Sequence, residues 1–256
     1  MHSIYVIMHP KEIFMKATLL IKNIENLYTC DDNFTVLERA YVCLHHDKIM
    51  AVGTGSDYKD LIEPSTRVID AQGEIVLPAF IDCDFKGFIN ARLGDQLRQD
   101  SAALYAMRQN GILSVLTNHS KIQRKNLTQD VYVNRRKTSL PIVERLGDYI
   151  EGLPEKFLLS CGFGKPNSYV YSFQPLCYML FSQLEVPYKP LLEGMTSLPA
   201  KEFGLDDRGS IEVGKLGDLL VIQVPTIEHY FQTIGTPLIH RMIKNGIPFY
   251  PNWIRC

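Results

Sequence analysis

Residues Ile75 to Phe88 read IVLPAFIDCDFKGF, an apolar run that turns acidic and then basic within a few positions. Ile81 to Phe85 predicts a strand, and a strand alternates its faces, so residues two apart point the same way. Asp82, Asp84 and Lys86 therefore follow one another at strand spacing. An aspartate beside a lysine is either a general acid/base pair, because opposite charges shift each other's pKa, or a plain salt bridge. Asp82 is read as an organiser of backbone. Convergence of Asp82 and Asp84 with His119 would make a weak divalent-cation site.

The 256 residues, 46% hydrophobic and 21% charged with a formal net charge of -1, fit a globular chain of one or two domains. A near-neutral balance gives no support for nucleic acid or an anionic membrane as partner. Two basic clusters (Lys121, Arg124, Lys125 and Arg135, Arg136, Lys137) read as a solvated loop face. Six cysteines are scattered without a C-x-x-C, several in apolar runs, as reduced core thiols are in a cytoplasmic protein. The opening MHSIYVIMHPKEIF lacks the basic start of a signal peptide, and Met15 reads as an alternative start. No stretch approaches the roughly 18 apolar residues of a membrane helix.

Outward from the quoted run, the chain is β-like at both ends. Lys16 to Gly73 shows short alternating segments separated by turn residues, and Gly209 to Pro225 and His240 to Tyr250 return to that style. Asn245-Gly246 is a strong hairpin signal. Neither end is large enough to bury a good core alone, so the two are expected to pair. The middle carries a helix over Asp100 to Asn110 and a strand over Ile112 to Thr117. Lys121 to Lys137 reads as loop or loosely held helix, Pro141 to Tyr149 as helix, and Phe157 to Cys161 as a buried strand. Helices follow over Gln174 to Leu184 and Tyr188 to Leu198, with Lys201 to Leu205 as the exit toward the closing strands. This is a βα pattern flanked by β.

LDDRGSIEVGKLGDLLVI (Leu205 to Ile222) resembles the amidohydrolase superfamily phrase in which a Gly-x-Ile-x-x-Gly-Lys turn precedes Ala-Asp-Leu and a hydrophobic strand. Asp218 can bond backbone amides there. IVLPAFIDCDF is similar to the start of that superfamily's first barrel strand. HYFQTIGTPLIHRMIKNG (His229 to Gly246) and LLSCGFGKPNSYVYSFQPLCYML resemble imidazolonepropionases in particular. The resemblance covers roughly the first 118 and last 100 residues. It implies a β-sandwich built from both chain ends beside a (β/α)₈ barrel holding one metal, zinc or iron, which activates water for hydrolysis of a carbon–nitrogen bond. The family's ligands are His-x-His on the first strand, single histidines on the fifth and sixth, and an aspartate on the eighth.

Carried over by position, that ligand set is replaced. Asp84 and Lys86 stand where the histidine pair is expected, and the eighth-strand aspartate falls at or beside Gly162. A barrel of eight units takes about 250 residues. Only roughly 135 remain between the sandwich ends, and at about 30 residues per βα unit three or four units fit. The expected fold is therefore α/β: a composite β-sandwich from residues 16–76 and 209–256, and a truncated TIM-barrel-like domain from residues 77–208. No metal cofactor is expected. A barrel opened this far exposes edges and apolar faces, which points to a homo-oligomer or another partner.

The remaining candidates are weaker. His119 follows ILSVLTN, where barrel enzymes place functional groups. His45 and His46 are adjacent in a predicted strand and so face opposite sides. His229 and His240 read as packing residues. Ser160, Cys161 and Ser168 have no recognisable base nearby, and GFGK at Gly162 to Lys165 lacks the spacing of a phosphate loop. Two functions follow: an amidohydrolase-like protein that has lost hydrolysis and keeps a binding or structural role for an unnamed small molecule, or a working hydrolase of cyclic amidines or amides with a rebuilt site.

Overall fold

The computed structural model describes residues 15–87, 93–118, 128–134, 136–145, 152–164 and 169–251. In chain order the strands are β1 (Leu19–Tyr28), β2 (Val36–His45), β3 (Lys48–Thr54), β4 (Arg67–Asp70), β5 (Ile75–Pro78), β6 (Phe80–Phe85), β7 (Ile112–Thr117), β8 (Asp130–Val133), β9 (Ile142–Val143), β10 (Leu158–Leu159), β11 (Leu219–Ile222), β12 (Ile239–Lys244) and β13 (Ile247–Phe249). The helices are α1 (Leu93–Gln109), α2 (Gln174–Gln183), α3 (Tyr188–Met195), α4 (Ser197–Phe203) and α5 (Ile227–Gln232).

Both chain ends enter one eight-stranded sheet, ordered β13-β12-β11-β5-β1-β2-β3 with β4 also on β1. The junction is antiparallel pairing of β5 with β11, from Ile75 opposite Ile222 to Pro78 opposite Leu219. Alternation sorts the side chains. Ile75, Leu77, Leu220 and Ile222 pack with α1 residues Leu104 and Met107 in the larger core. Val76, Leu219 and Val221 turn the other way, to Ile21, Val42, Ile69 and Ile243. The predicted hairpin is present: Asn245 and Gly246 both take positive φ, 50° and 74°, which a two-residue turn with the right twist requires.

The quoted run continues from β5 directly into β6, which joins a second sheet of parallel strands ordered β6-β7-β8, with α1 between β6 and β7. β9 and β10 form a short parallel pair of their own. Phe80, Phe85, Ile112 and Val115 of β6 and β7 pack with the helices in the larger core. Ile81, Cys83 and Leu116 pack with Leu158 against Ala200 and Phe203 of α4, so a helix covers this part of the parallel sheet.

The structure corrects several expectations in this middle region. Ile142–Val143 is a strand where a helix is predicted from Pro141, and the rest of that stretch beyond 145 lies outside the described residues. β8 interrupts the predicted loop of Lys121 to Lys137. The helix predicted to run to Leu198 breaks at Thr196, whose φ and ψ of -134° and -87° are not helical, and restarts as α4 through the expected exit segment. His45 and His46 do not face apart. His46 leaves the strand at φ 53°, and the two rings meet edge-on with centroids 4.3 Å apart.

Two cationic side chains are buried among the described residues. Lys244 at the end of β12 and Arg208 in the turn after α4 share Asp130 of β8 and Asp218 before β11. Lys244 Nζ lies 2.9 Å from Asp130 Oδ2 and 2.8 Å from Asp218 Oδ2. Arg208 Nη1 donates to the same two oxygens at 2.8 and 3.2 Å and to Ser114 Oγ at 3.1 Å. Asp207 takes the other side of the guanidinium in a two-point contact. The free Asp218 oxygen accepts the Asn245 backbone N–H at 2.8 Å, the backbone role read for it from sequence. The cluster thus ties β7 and β8 to the hairpin of the large sheet. The five described cysteines are free and buried. Among the described residues no helix is long and apolar enough to cross a membrane.

Removing one partner of such a cluster strands a charge without water. Lys244→Met should therefore cost about 3–5 kcal/mol, read as a lower urea midpoint. Burial pushes the Asp130 carboxyl up, but Lys244 and Arg208 more than offset this and hold it below the usual range. A carboxyl depressed in the folded state contributes stability above its unfolded pKa of about 3.9 and loses it as pH falls through the folded value. The penalty of Asp130→Asn should accordingly be large at neutral pH and shrink below about pH 4; a pH-independent penalty would contradict this account.

Candidate functional site

The site is built where β6, β7 and β8 end. Asp82, fully buried in the middle of β6, fixes the backbone around it. Its Oδ2 accepts the Cys161 N–H at 2.8 Å, and its Oδ1 accepts the Asp84 N–H at 3.0 Å and the Ser160 hydroxyl at 3.1 Å. Burial pushes the Asp82 carboxyl above the ordinary range despite these donors. Beyond β10, the Lys86 N–H donates to Phe163 O at 3.0 Å, and the Phe85 and Phe163 rings stack at 5.0 Å. Gly164 lies so close that an added Cβ would sit 2.0 Å from Gly87 O. Gly164 of the GFG segment therefore serves a close crossing of two backbones. Lys165 and Ser168 lie outside the described residues.

Asp84 and Lys86 leave this braced strand end and pair with each other, the ammonium donating to Asp84 Oδ1. Both are partly exposed and line a cleft of about 430 Å³. Its apolar floor is Cys83, Ile142 and Phe203, and its polar rim includes Asn118 and Asn134. Arg136 and Lys137 reach the same cleft, both exposed. They are positioned by the segment after β8. The Asn134 N–H donates to Thr117 O at 2.7 Å, and Asn134 Oδ1 accepts the Arg136 N–H at 2.8 Å. Ser139 N–H then donates to Glu202 Oε1 of α4 at 3.0 Å. The sequence places Arg136 and Lys137 on a solvated loop. They are solvated, but the turn at Asn134 aims that loop at the strand ends, a convergence no local pattern reveals.

The other candidates do not gather here. His119 lies outside the described residues. Gly162 takes φ 65°, with its N–H on Ser160 Oγ at 3.1 Å, and has no side chain to offer. Burial pushes the Cys161 thiol far up, which leaves little thiolate to attack anything. His240 pairs with Glu74 at 2.6 Å, and His229 is exposed on α5 rather than packed. The metal implied by the resemblance does not fit these residues. Catalytic zinc takes three protein ligands. Here one position is an ammonium, its neighbour's carboxylate is held by that ammonium, and Asp82 is committed to two backbone amides and a hydroxyl. Among the described residues no group of three or more His, Cys, Asp or Glu could hold a metal ion.

Asp82→Ala would orphan the Cys161 and Asp84 amides in a dry interior, at roughly 1–3 kcal/mol for each unsatisfied group. The expected result is a stability loss near the upper end of that range, with the near-ultraviolet signal of the Phe85–Phe163 region altered. A loss under ~0.5 kcal/mol would show that the strand end is not braced this way.

No family model matches the chain. Over 77 residues, 27% of the chain, it is 36% identical to the imidazolonepropionase of Fusobacterium nucleatum subsp. nucleatum, and the match spans 19% of that enzyme. Over 48 residues, 19% of the chain, it is 42% identical to the imidazolonepropionase of Streptococcus gordonii, spanning 11% of it. The chain thus matches a fifth or less of the length of these relatives. Among solved structures, an adenosine deaminase from Xanthomonas campestris with bound zinc superposes with a TM-score of 0.64 at 11% identity, covering 91% of this chain and 93% of that one. By these local matches the protein is imidazolonepropionase-related, and its fold is the one shared with the solved deaminase.

Proposed function

We propose that this chain is an amidohydrolase-like protein that has given up metal-dependent hydrolysis and binds a small molecule in the strand-end cleft. The supporting observation is the Asp84–Lys86 ion pair at the positions matched to the family's histidine pair. An ammonium there repels the cation that histidines attract. Two like unit charges 4 Å apart oppose each other by about 4 kcal/mol at a near-surface dielectric, and a divalent ion doubles this. The architecture that goes with this reading is a composite sandwich of residues 16–76 and 209–256 beside a shortened barrel of residues 77–208, with α4 standing in for absent strands.

Metal analysis of protein purified without chelators tests it, together with an assay of imidazolonepropionate turnover. Less than a tenth of an equivalent of zinc, iron or manganese, and no turnover above the uncatalysed rate, is the expected result. Stoichiometric metal or measurable turnover would favour a working carbon–nitrogen hydrolase with a rebuilt site instead.

A second copy of the chain is the proposed partner. β8 pairs only with β7 among the described strands, and such an edge offers unpaired backbone to a neighbour. Light scattering at micromolar concentration should give a dimer mass. A stable monomer that binds no hydrophobic dye would show that α4 alone completes the cover.

A further inference from the structure

We propose that the strand-end cleft is an anion site, built for a small ligand carrying two negative charges on carboxylate or phosphoryl oxygens. The inference deepens the proposed function and rests on its choice of this cleft as the binding site. The residues facing it carry three cationic groups, Lys86, Arg136 and Lys137, against one carboxylate, Asp84. Asp84 is matched by Lys86, which leaves Arg136 and Lys137 as the excess charge among the described residues that line the cleft. Neither has a hydrogen-bond or ion-pair partner for its charged group among the described residues. Arg136 is held in place from the side, its Nη1 2.6 Å from the point where a Cβ on Gly204 would stand, so the guanidinium packs against the end of α4.

The surroundings suit recognition rather than mere exposure. The cleft, at about 430 Å³, falls within the size of small-molecule pockets. Asn118 and Asn134 add neutral amide donors on the rim, and Cys83, Ile142 and Phe203 give an apolar floor for a short carbon skeleton. A guanidinium offers two parallel N–H donors to a carboxylate or phosphate, and a lysine adds a compact point charge. The Lys86 ammonium has three donors, of which Asp84 uses one. The charge of this position has thus been reversed relative to the family: where histidines would gather a cation, lysine and arginine gather an anion.

Isothermal titration calorimetry of the full chain at low ionic strength, with inorganic phosphate and with succinate as separate probes, tests this. At least one should bind at millimolar concentration or below, and the preferred probe separates phosphoryl from carboxylate recognition. Lys137→Gln, a change at an exposed side chain, should weaken that binding about tenfold, as should Arg136→Gln. Lys59→Gln, which removes an exposed charge outside the cleft, should leave it unchanged. Failure of both probes to bind, or binding indifferent to Lys137→Gln and Arg136→Gln, overturns the proposal. The outcome is separable from the proposed loss of hydrolysis. Bound stoichiometric metal sinks that reading whatever the anion result, while absent anion binding in metal-free protein sinks only this one.

Discussion

Four buried charges, Arg208, Lys244, Asp130 and Asp218, with the exposed Asp207 beside them, hold the large sheet and the β6-β7-β8 sheet in register. Each ion taken from water costs several kcal/mol even after relaxation, so such a cluster is no cheap source of stability. What it supplies is position. Asp130 starts β8, Lys244 ends β12, and Asp218 bonds the turn at Asn245, so no one of these elements can shift without stranding a charge. The cluster lies where β7 and β8 begin, with Ser114 and Asp130, whereas the cleft lies where they end. One end of the parallel sheet is fastened, and the other is left to be shaped by loops.

The parallel sheet needs its apolar face dried, and that has a physical consequence. Leu198, Ala200 and Phe203 of α4 do this against Ile81, Cys83 and Leu116. Phe203 also forms part of the cleft floor. The helix that covers the sheet therefore also lines the site, which couples the packing solution to whatever the cleft accommodates.

Much of the frame was legible because it rests on local pattern. The alternation in β2 and β3, the helix before Gly111 and the Asn245-Gly246 turn each follow from residues adjacent in sequence. The segments that were missed share a cause. β8 is four residues long, DVYV, and sits among polar and basic neighbours that mask a period of two. The two residues of β9 carry no period at all. The break at Thr196 falls at a fully buried side chain, whose hydroxyl turns back to Leu192 O at 2.6 Å. At the site, the Asp84–Lys86 pair was readable from strand spacing, while Arg136 and Lys137 were visible only as charge. Their approach to Lys86 is a matter of topology, and topology is not written in any single window.

The distribution of thiols has a use of its own. Cys43 lies in the large sheet, Cys83 and Cys161 flank the strand end, Cys30 follows β1, and Cys177 sits in α2; all are buried. Burial pushes the Cys30 and Cys43 thiols up to about 12, and those of Cys83, Cys161 and Cys177 also rise. A thiol reagent therefore meets almost no thiolate at these five positions until the backbone around one of them opens. The protein carries built-in reporters of its local breathing, spaced through its sheets and helices. The order in which they become alkylated would chart which part of the molecule loosens first.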